Sequence, residues 1–250
     1  IFTLPQPVAY AGNQSLDLDY VLTKTINKTI ISIQTPLAFF REQSYPIIID
    51  PTVLLTDTNI AFDGHVKFFP SDGGYTRVGT AASFSVGTST TGAACQPATA
   101  NTCKFRGDMD WDITSIPDNA ELVDINLTLR VPVLGLPDTT MFFYHMDGNS
   151  ATYANTGAGN AGFFADMANG TNYFNQTVTG TGFTYFNITR PQLLADLHSI
   201  LLSRSNSWSF GIKSNETGPT GANATEFNSE EATTAANRPR ITFTYNFPPP

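Results

Sequence analysis

Asp124-Ile125-Asn126-Leu127-Thr128-Leu129-Arg130-Val131 sets the fold class. Apolar side chains at 125, 127, 129 and 131 alternate with polar ones at 124, 126, 128 and 130. That period of two belongs to a strand with one face in a core and the other in water. Outward from it, short apolar runs at 81–86, 141–145, 183–188, 208–212 and 241–247 are separated by Gly, Ser, Thr and Asn. Many short strands with polar turns predict an all-β chain, a jelly-roll-like β-sandwich. In the last run Ile241, Phe243 and Tyr245 share one face. One short helix is expected over 189–201, where Leu193, Leu194, Leu197, Ile200 and Leu201 line one side. Thr189 is its expected cap and Pro191 its early-turn proline. Residues 147–182, rich in Gly, Asn and Thr, read as a decorated excursion or as weak edge strands.

Composition narrows the function classes. Charged residues make up 14% of the 250, against roughly 25% in an ordinary soluble domain. The net charge is −8, and the five lysines (Lys24, Lys28, Lys67, Lys104, Lys213) are scattered. Without a basic stripe, nucleic acid is not an expected partner. No apolar run approaches the roughly 18 residues of a membrane span. A start at Ile1 is read as a mature chain whose leader has been removed.

Cys95 and Cys103 are the only cysteines. Their spacing suits a small disulfide loop and not a zinc site, and a disulfide implies an oxidising compartment. Asn-x-Ser/Thr sequons occur at Asn13, Asn27, Asn126, Asn169, Asn175, Asn187, Asn215 and Asn223. Chance placement would give roughly four, so N-linked glycans are expected on several of them. The expected location is extracellular, at a cell surface.

Three segments are expected. Residues 1–15 form an extended apolar strand interrupted by Pro5 and Pro7, 16–56 a short β-rich piece, and 57–247 the sandwich. Proline confines the first segment to an edge. Ile1, Phe2, Leu4, Val8 and Tyr10 are therefore candidate subunit contacts, donated to a neighbouring copy or packed on their own domain.

Several motifs follow a familiar order. Trp111-Asp112-Ile113-Thr114-Ser115-Ile116-Pro117 before 120–129 resembles the "FDLSSIP…A…I..A.L.L" segment of DNRLRE-type domains. Phe186-Asn187-Ile188-Thr189 with its helix is similar to that family's "DVT" and short helix. Phe227-Asn228-Ser229-Glu230-Glu231 and Asn237-Arg238-Pro239-Arg240-Ile241-Thr242-Phe243-Thr244-Tyr245 resemble its closing "F.S.E…RP.L.V.Y". Tyr45-Pro46-Ile47-Ile48-Ile49-Asp50-Pro51-Thr52 resembles the lead-in "YPV.IDPT". Trp111 replaces the usual Phe, and the signature that names the family is not evident. The resemblance spans about 45–247 and implies an extracellular β-sandwich. Some relatives are carbohydrate-binding modules and others are parts of large surface proteins.

Chemistry is sparse. There is no Gly-x-Ser-x-Gly, and His65, His145 and His198 lie in no metal-ligand spacing. Asp108, Asp110 and Asp112 alternate on one strand, where they would share a face. They form either a calcium site or a solvated strand face. Trp208, Tyr153 and Tyr173 are candidates for stacking on sugars, with Trp208 more at home in a core. Arg238 or Arg240 is expected to pair with Glu230 or Glu231 and anchor the final strand. The functional expectation is a non-enzymatic structural glycoprotein, polymerising with copies of itself by N-terminal strand donation. The low charge and Thr-type sequons would suit an archaeal surface. A carbohydrate-binding module, with surface polysaccharide as partner, is the alternative.

Overall fold

The computed structural model describes residues 7–11, 14–24, 29–42, 48–50, 52–55, 59–71, 73–90, 95, 102–118, 120–135, 139–216 and 224–246. The first part contains β1 (Val8–Ala11), β2 (Gln14–Asp17), β3 (Asp19–Lys24), β4 (Thr29–Gln34), α1 (Leu37–Glu42) and β5 (Ile48–Asp50). β1 pairs antiparallel with β2 on one side and with β5 on the other, in a sheet of its own. β3 and β4 form a separate two-stranded ladder. β6 (Thr52–Leu55) belongs to the sandwich.

The larger sheet is built from β7 (Ile60–Phe69), β8 (Gly74–Val78), β9 (Ser83–Ser89), β10 (Cys103–Asp112), β12 (Thr139–His145), β13 (Asn172–Val178), β15 (Ser207–Ser214) and β16 (Thr225–Asn228). Its main order is β13-β12-β15-β10-β7-β8, with β9 and β16 branching from β10. The smaller sheet runs β14 (Gly182–Asn187), β11 (Glu121–Val131), β17 (Arg240–Asn246), β6. Successive strands repeatedly change sheets, so several neighbours in space, such as β10 and β15 or β11 and β17, are distant in sequence. The all-β sandwich expected from the strand pattern is what the chain forms.

The opening stretch behaves as its alternation requires. Ile125, Leu127, Leu129 and Val131 are fully buried, while Asp124, Asn126, Thr128 and Arg130 are half-exposed. Ile241, Phe243 and Tyr245 join them from β17, and Phe143, Trp208, Phe210, Met109 and Trp111 face them from the larger sheet. Phe186 of β14 crosses the gap to Phe143 at 5.1 Å between ring centres.

Helix α3 (Pro191–Leu202) is the expected one, and it buries Leu193, Leu197 and Leu201. Its cap differs from expectation. Arg190 occupies the N-cap position without a side-chain cap bond. Thr189 instead clasps β11: its Oγ1 accepts the Ile125 N–H at 2.8 Å and donates to Asp124.

The 147–182 stretch holds α2 (Gly157–Asp166) as well as β13. With three glycines, α2 has poor intrinsic propensity. Packing compensates, because Phe163 and Phe164 are buried against Phe62, Val66, Phe68 and Tyr75 on the outer face of the larger sheet. Close approach needs Gly211: a Cβ there would lie 2.3 Å from the Met167 carbonyl at the end of α2. The larger sheet is thus covered on both faces around β10.

Candidate functional site

β1 brings the expected N-terminal contacts only partly into view. Val8 and Tyr10 pair through their backbones with Asp17 and Ser15 on one side and with Asp50 and Ile48 on the other. Both edges of β1 are therefore occupied by its own chain. Ile1, Phe2 and Leu4 lie outside the described residues.

Among the sequons, Asn169, Asn175, Asn187 and Asn215 are exposed and Asn126 is half-exposed. Asn13, Asn27 and Asn223 lie outside the described residues. Asn126 and Asn187 are directly opposite each other across β11 and β14. Both side-chain amides donate to Asp124, that of Asn187 at 3.0 Å. Two sequons thus sit side by side on the outer face of the smaller sheet.

Cys95 and Cys103 form a disulfide, buried with Phe69 and Phe105. It closes a short loop, with a sequence separation of 8 between the two cysteines. Replacing both cysteines by serine is expected to lower stability by about 2.5 kcal/mol, measured by urea unfolding. An unchanged midpoint would show that the loop is held by other contacts.

Asp108, Asp110 and Asp112 do share a face, but α2 and the preceding loop cover two of them. Asp108 and Asp110 are 0% and 1% exposed, so the strand face is not solvated there. Each aspartate has a different job. Asp112 accepts from the Thr114 N–H and hydroxyl at the rim. Asp110 accepts the Ser150 N–H at 2.7 Å and ties down the loop before α2. Asp108 has no hydrogen-bond partner for either oxygen. Burial, then Asp110 and Asp63, push its carboxyl well above the usual range, while Arg77 opposes the shift. Arg77 is itself held by the carbonyls of Ser150 and Tyr153, both at 2.9 Å, and lies 4.3 Å from the Phe163 ring centre. The nearby positive charge is a guanidinium. Arg106-Gly107-Asp108, an integrin-type tripeptide, runs inside this covered strand.

A different carboxylate group emerges at the start of β7. Oxygens of Asp63, Glu230 and Glu231 all lie within 4.8 Å of one another. No sequence signal marks this set, because β7 and the turn after β16 are 167 residues apart. Arg238 donates Nε–H to the Ala232 carbonyl at 2.9 Å and closes that turn. Arg240 instead sits 5.7 Å from the Phe183 ring centre.

The nearest approach to a catalytic constellation is His145, whose Nδ1 lies 2.6 Å from the Tyr173 hydroxyl and 3.9 Å from Asp196. His145 also borders a polar cavity of ≈ 280 Å³, lined further by Asp147, Asn149, Ser207 and Trp208. Burial, then Asp196, raises the Tyr173 hydroxyl well above the usual phenol range, so it remains a proton donor. His65 is also buried, accepting the Ser85 N–H at 3.2 Å.

The sugar-stacking candidates are mostly internal. Trp208 and Tyr173 are buried, and Tyr153 stacks on Phe163 at 5.2 Å. Among the described residues, the exposed aromatics are Tyr185 (70%) and Phe183 (43%) on β14, opposite Thr128 and Arg130. Alternation through β14 could have found them, since Phe183, Tyr185 and Asn187 share the face opposite buried Phe186.

No protein-family model matches the chain, and no curated protein does. Among solved structures, the chain is similar to that of the infectious bursal disease virus Gt strain, at 12% identity and a TM-score of 0.22. That alignment covers 98% of this chain and 46% of the viral one. The corresponding Gx strain structure gives 10% identity, a TM-score of 0.20, and coverage of 99% and 57%. The chain spans about half the length of these viral chains. Likeness at that level carries no argument about function.

Proposed function

We propose that the protein is a structural, glycan-bearing component of an extracellular surface that assembles with copies of itself by exchanging its N-terminal strand. The observation that carries this reading is the small sheet β2-β1-β5, hydrogen-bonded separately from the sandwich. Its strands are four, four and three residues long. A sheet so small has little stability of its own and gains from further pairing. Exchange of an identical strand between copies re-forms the same hydrogen bonds, so pairing within one chain and pairing between copies are close in energy. The disulfide suits an oxidising compartment, and the surface positions of the described sequons suit attached glycans.

Deleting residues 1–12 is expected to abolish polymers that the full chain forms, as seen by sedimentation and electron microscopy. Circular dichroism would confirm that the truncated chain still folds. A truncated protein that polymerises equally well, or a full chain that stays monomeric at all concentrations, overturns the reading.

A non-catalytic carbohydrate-binding role is the second reading. It is favoured by Tyr185 and Phe183, exposed beside the polar face of the smaller sheet, because aromatic faces stack on sugar rings. Specific binding on a glycan array, lost in Tyr185→Ala, would favour it over assembly.

A further inference from the structure

We propose that Asp63, Glu230 and Glu231 form a binding site for one calcium-class divalent cation, which pins the turn after β16 to the start of β7. The spacing suits such an ion. Calcium–oxygen distances of about 2.3–2.6 Å place opposed ligand oxygens up to about 5 Å apart. The three carboxylates offer oxygens that are all within 4.8 Å of one another. Magnesium, at about 2.1 Å in a strict octahedron, fits that spread less well, and an all-oxygen set is poor for zinc.

Asp63 itself lacks a partner on one of its carboxyl oxygens. It is 1% exposed, and its Oδ2 accepts the Glu230 N–H at 2.9 Å. Its Oδ1 is buried with no hydrogen-bond partner, as is Oε2 of Glu231. A buried carboxylate oxygen without a partner is costly unless a proton or a cation meets it. Both glutamates add their repulsion to burial in disfavouring the Asp63 charge.

The scaffold around the site is set by other bonds. Ser229 donates its hydroxyl to the Ala81 carbonyl at 2.5 Å and its N–H to that of Ala82 at 3.2 Å. Arg238 closes the far side through Ala232. An ion would therefore meet a preformed cage, with water completing its coordination.

The test uses the full disulfide-bonded chain at pH 8, stripped with EDTA and then given CaCl2 or NaCl at matched ionic strength. A Tm rise of about 5 °C or more in millimolar calcium is expected, with one calcium bound per chain by titration calorimetry. Glu231→Gln should fold, abolish the calcium-dependent rise, and match or exceed the wild-type Tm in EDTA, because repulsion is removed. Should that variant fail to fold, Asp63→Asn serves the same purpose. Asp118→Asn, on an exposed turn, should keep the full calcium response. The proposal is overturned if calcium leaves the wild-type Tm unchanged, or if Glu231→Gln responds as the wild type does. It also fails if acidification to pH 5 stabilises the chain while calcium adds nothing at pH 8. That result would identify a carboxyl cage that shares protons.

Discussion

Trp208→Ala is expected to cost about 3–5 kcal/mol, enough to lower the melting temperature by roughly 10 °C. Trp208 is 1% exposed on β15 and lies directly opposite Trp111 on β10. Its ring centre is 4.9 Å from Phe210 in the same sheet and 6.2 Å, edge-on, from Phe243 in the facing one. Truncation would open a cavity between two sheets whose backbones are fixed by their own ladders, so collapse around it is limited. Trp208→Phe should recover much of the loss. Urea unfolding followed by far-UV circular dichroism measures both variants. A loss below about 1 kcal/mol in the alanine variant would mean that this indole does not hold the sheets together.

In EDTA, the protein should become more stable as pH falls from 8 towards 5. Burial, then Glu231, raises the Asp63 carboxyl to about 8. Burial chiefly raises Asp108 well above the usual range and also raises Asp110. Unfolded aspartates titrate near 3.9. The folded state therefore holds protons that the unfolded chain releases. This stabilisation is complete below the unfolded pKa and is lost as pH rises through the folded values. The slope is about 1.4 kcal/mol per pH unit for each such group. His65 opposes the trend. Burial, then Lys67, holds its imidazole down to about 3. It therefore removes stability as pH falls below about 6.5, where the unfolded imidazole takes up a proton. Above about 6.5 His65 no longer opposes these aspartates, so the steepest gain lies between pH 8 and 6.5. Asp63 and His65 together leave a net gain on the order of 2 kcal/mol by pH 5, to which Asp108 and Asp110 add in the same direction. Asp63→Asn should flatten part of the slope. A melting temperature that is constant or falls between pH 8 and 6.5 would sink the prediction.

The two acidic groups explain why function was hard to read from the chain. Asp108, Asp110 and Asp112 announce themselves by alternate spacing, and that spacing does put them on one face. Whether the face meets water, a cation or a helix depends on α2, whose Gly157-Ala158-Gly159-Asn160-Ala161-Gly162 opening has almost no helical signature. Asp63 carries no local signal at all. Its partners, Glu230 and Glu231, end a motif that reads only as the lead into a final strand. Alternation puts Tyr185 on the face opposite Phe186, but only the structure shows that β14 is an edge strand with that face exposed.

Local pattern alone determined that this chain is a β-sandwich with a helix near residue 195 and one short disulfide loop. Period, branched apolar runs and cysteine spacing act between neighbours in sequence, and Leu127 must face inward whatever else the chain does. Tertiary structure decided which polar side chains are buried, which carboxylates meet, and where β1 finds its hydrogen bonds. Those outcomes depend on what lies across a sheet or on top of it, and residues many tens of positions away supply that cover.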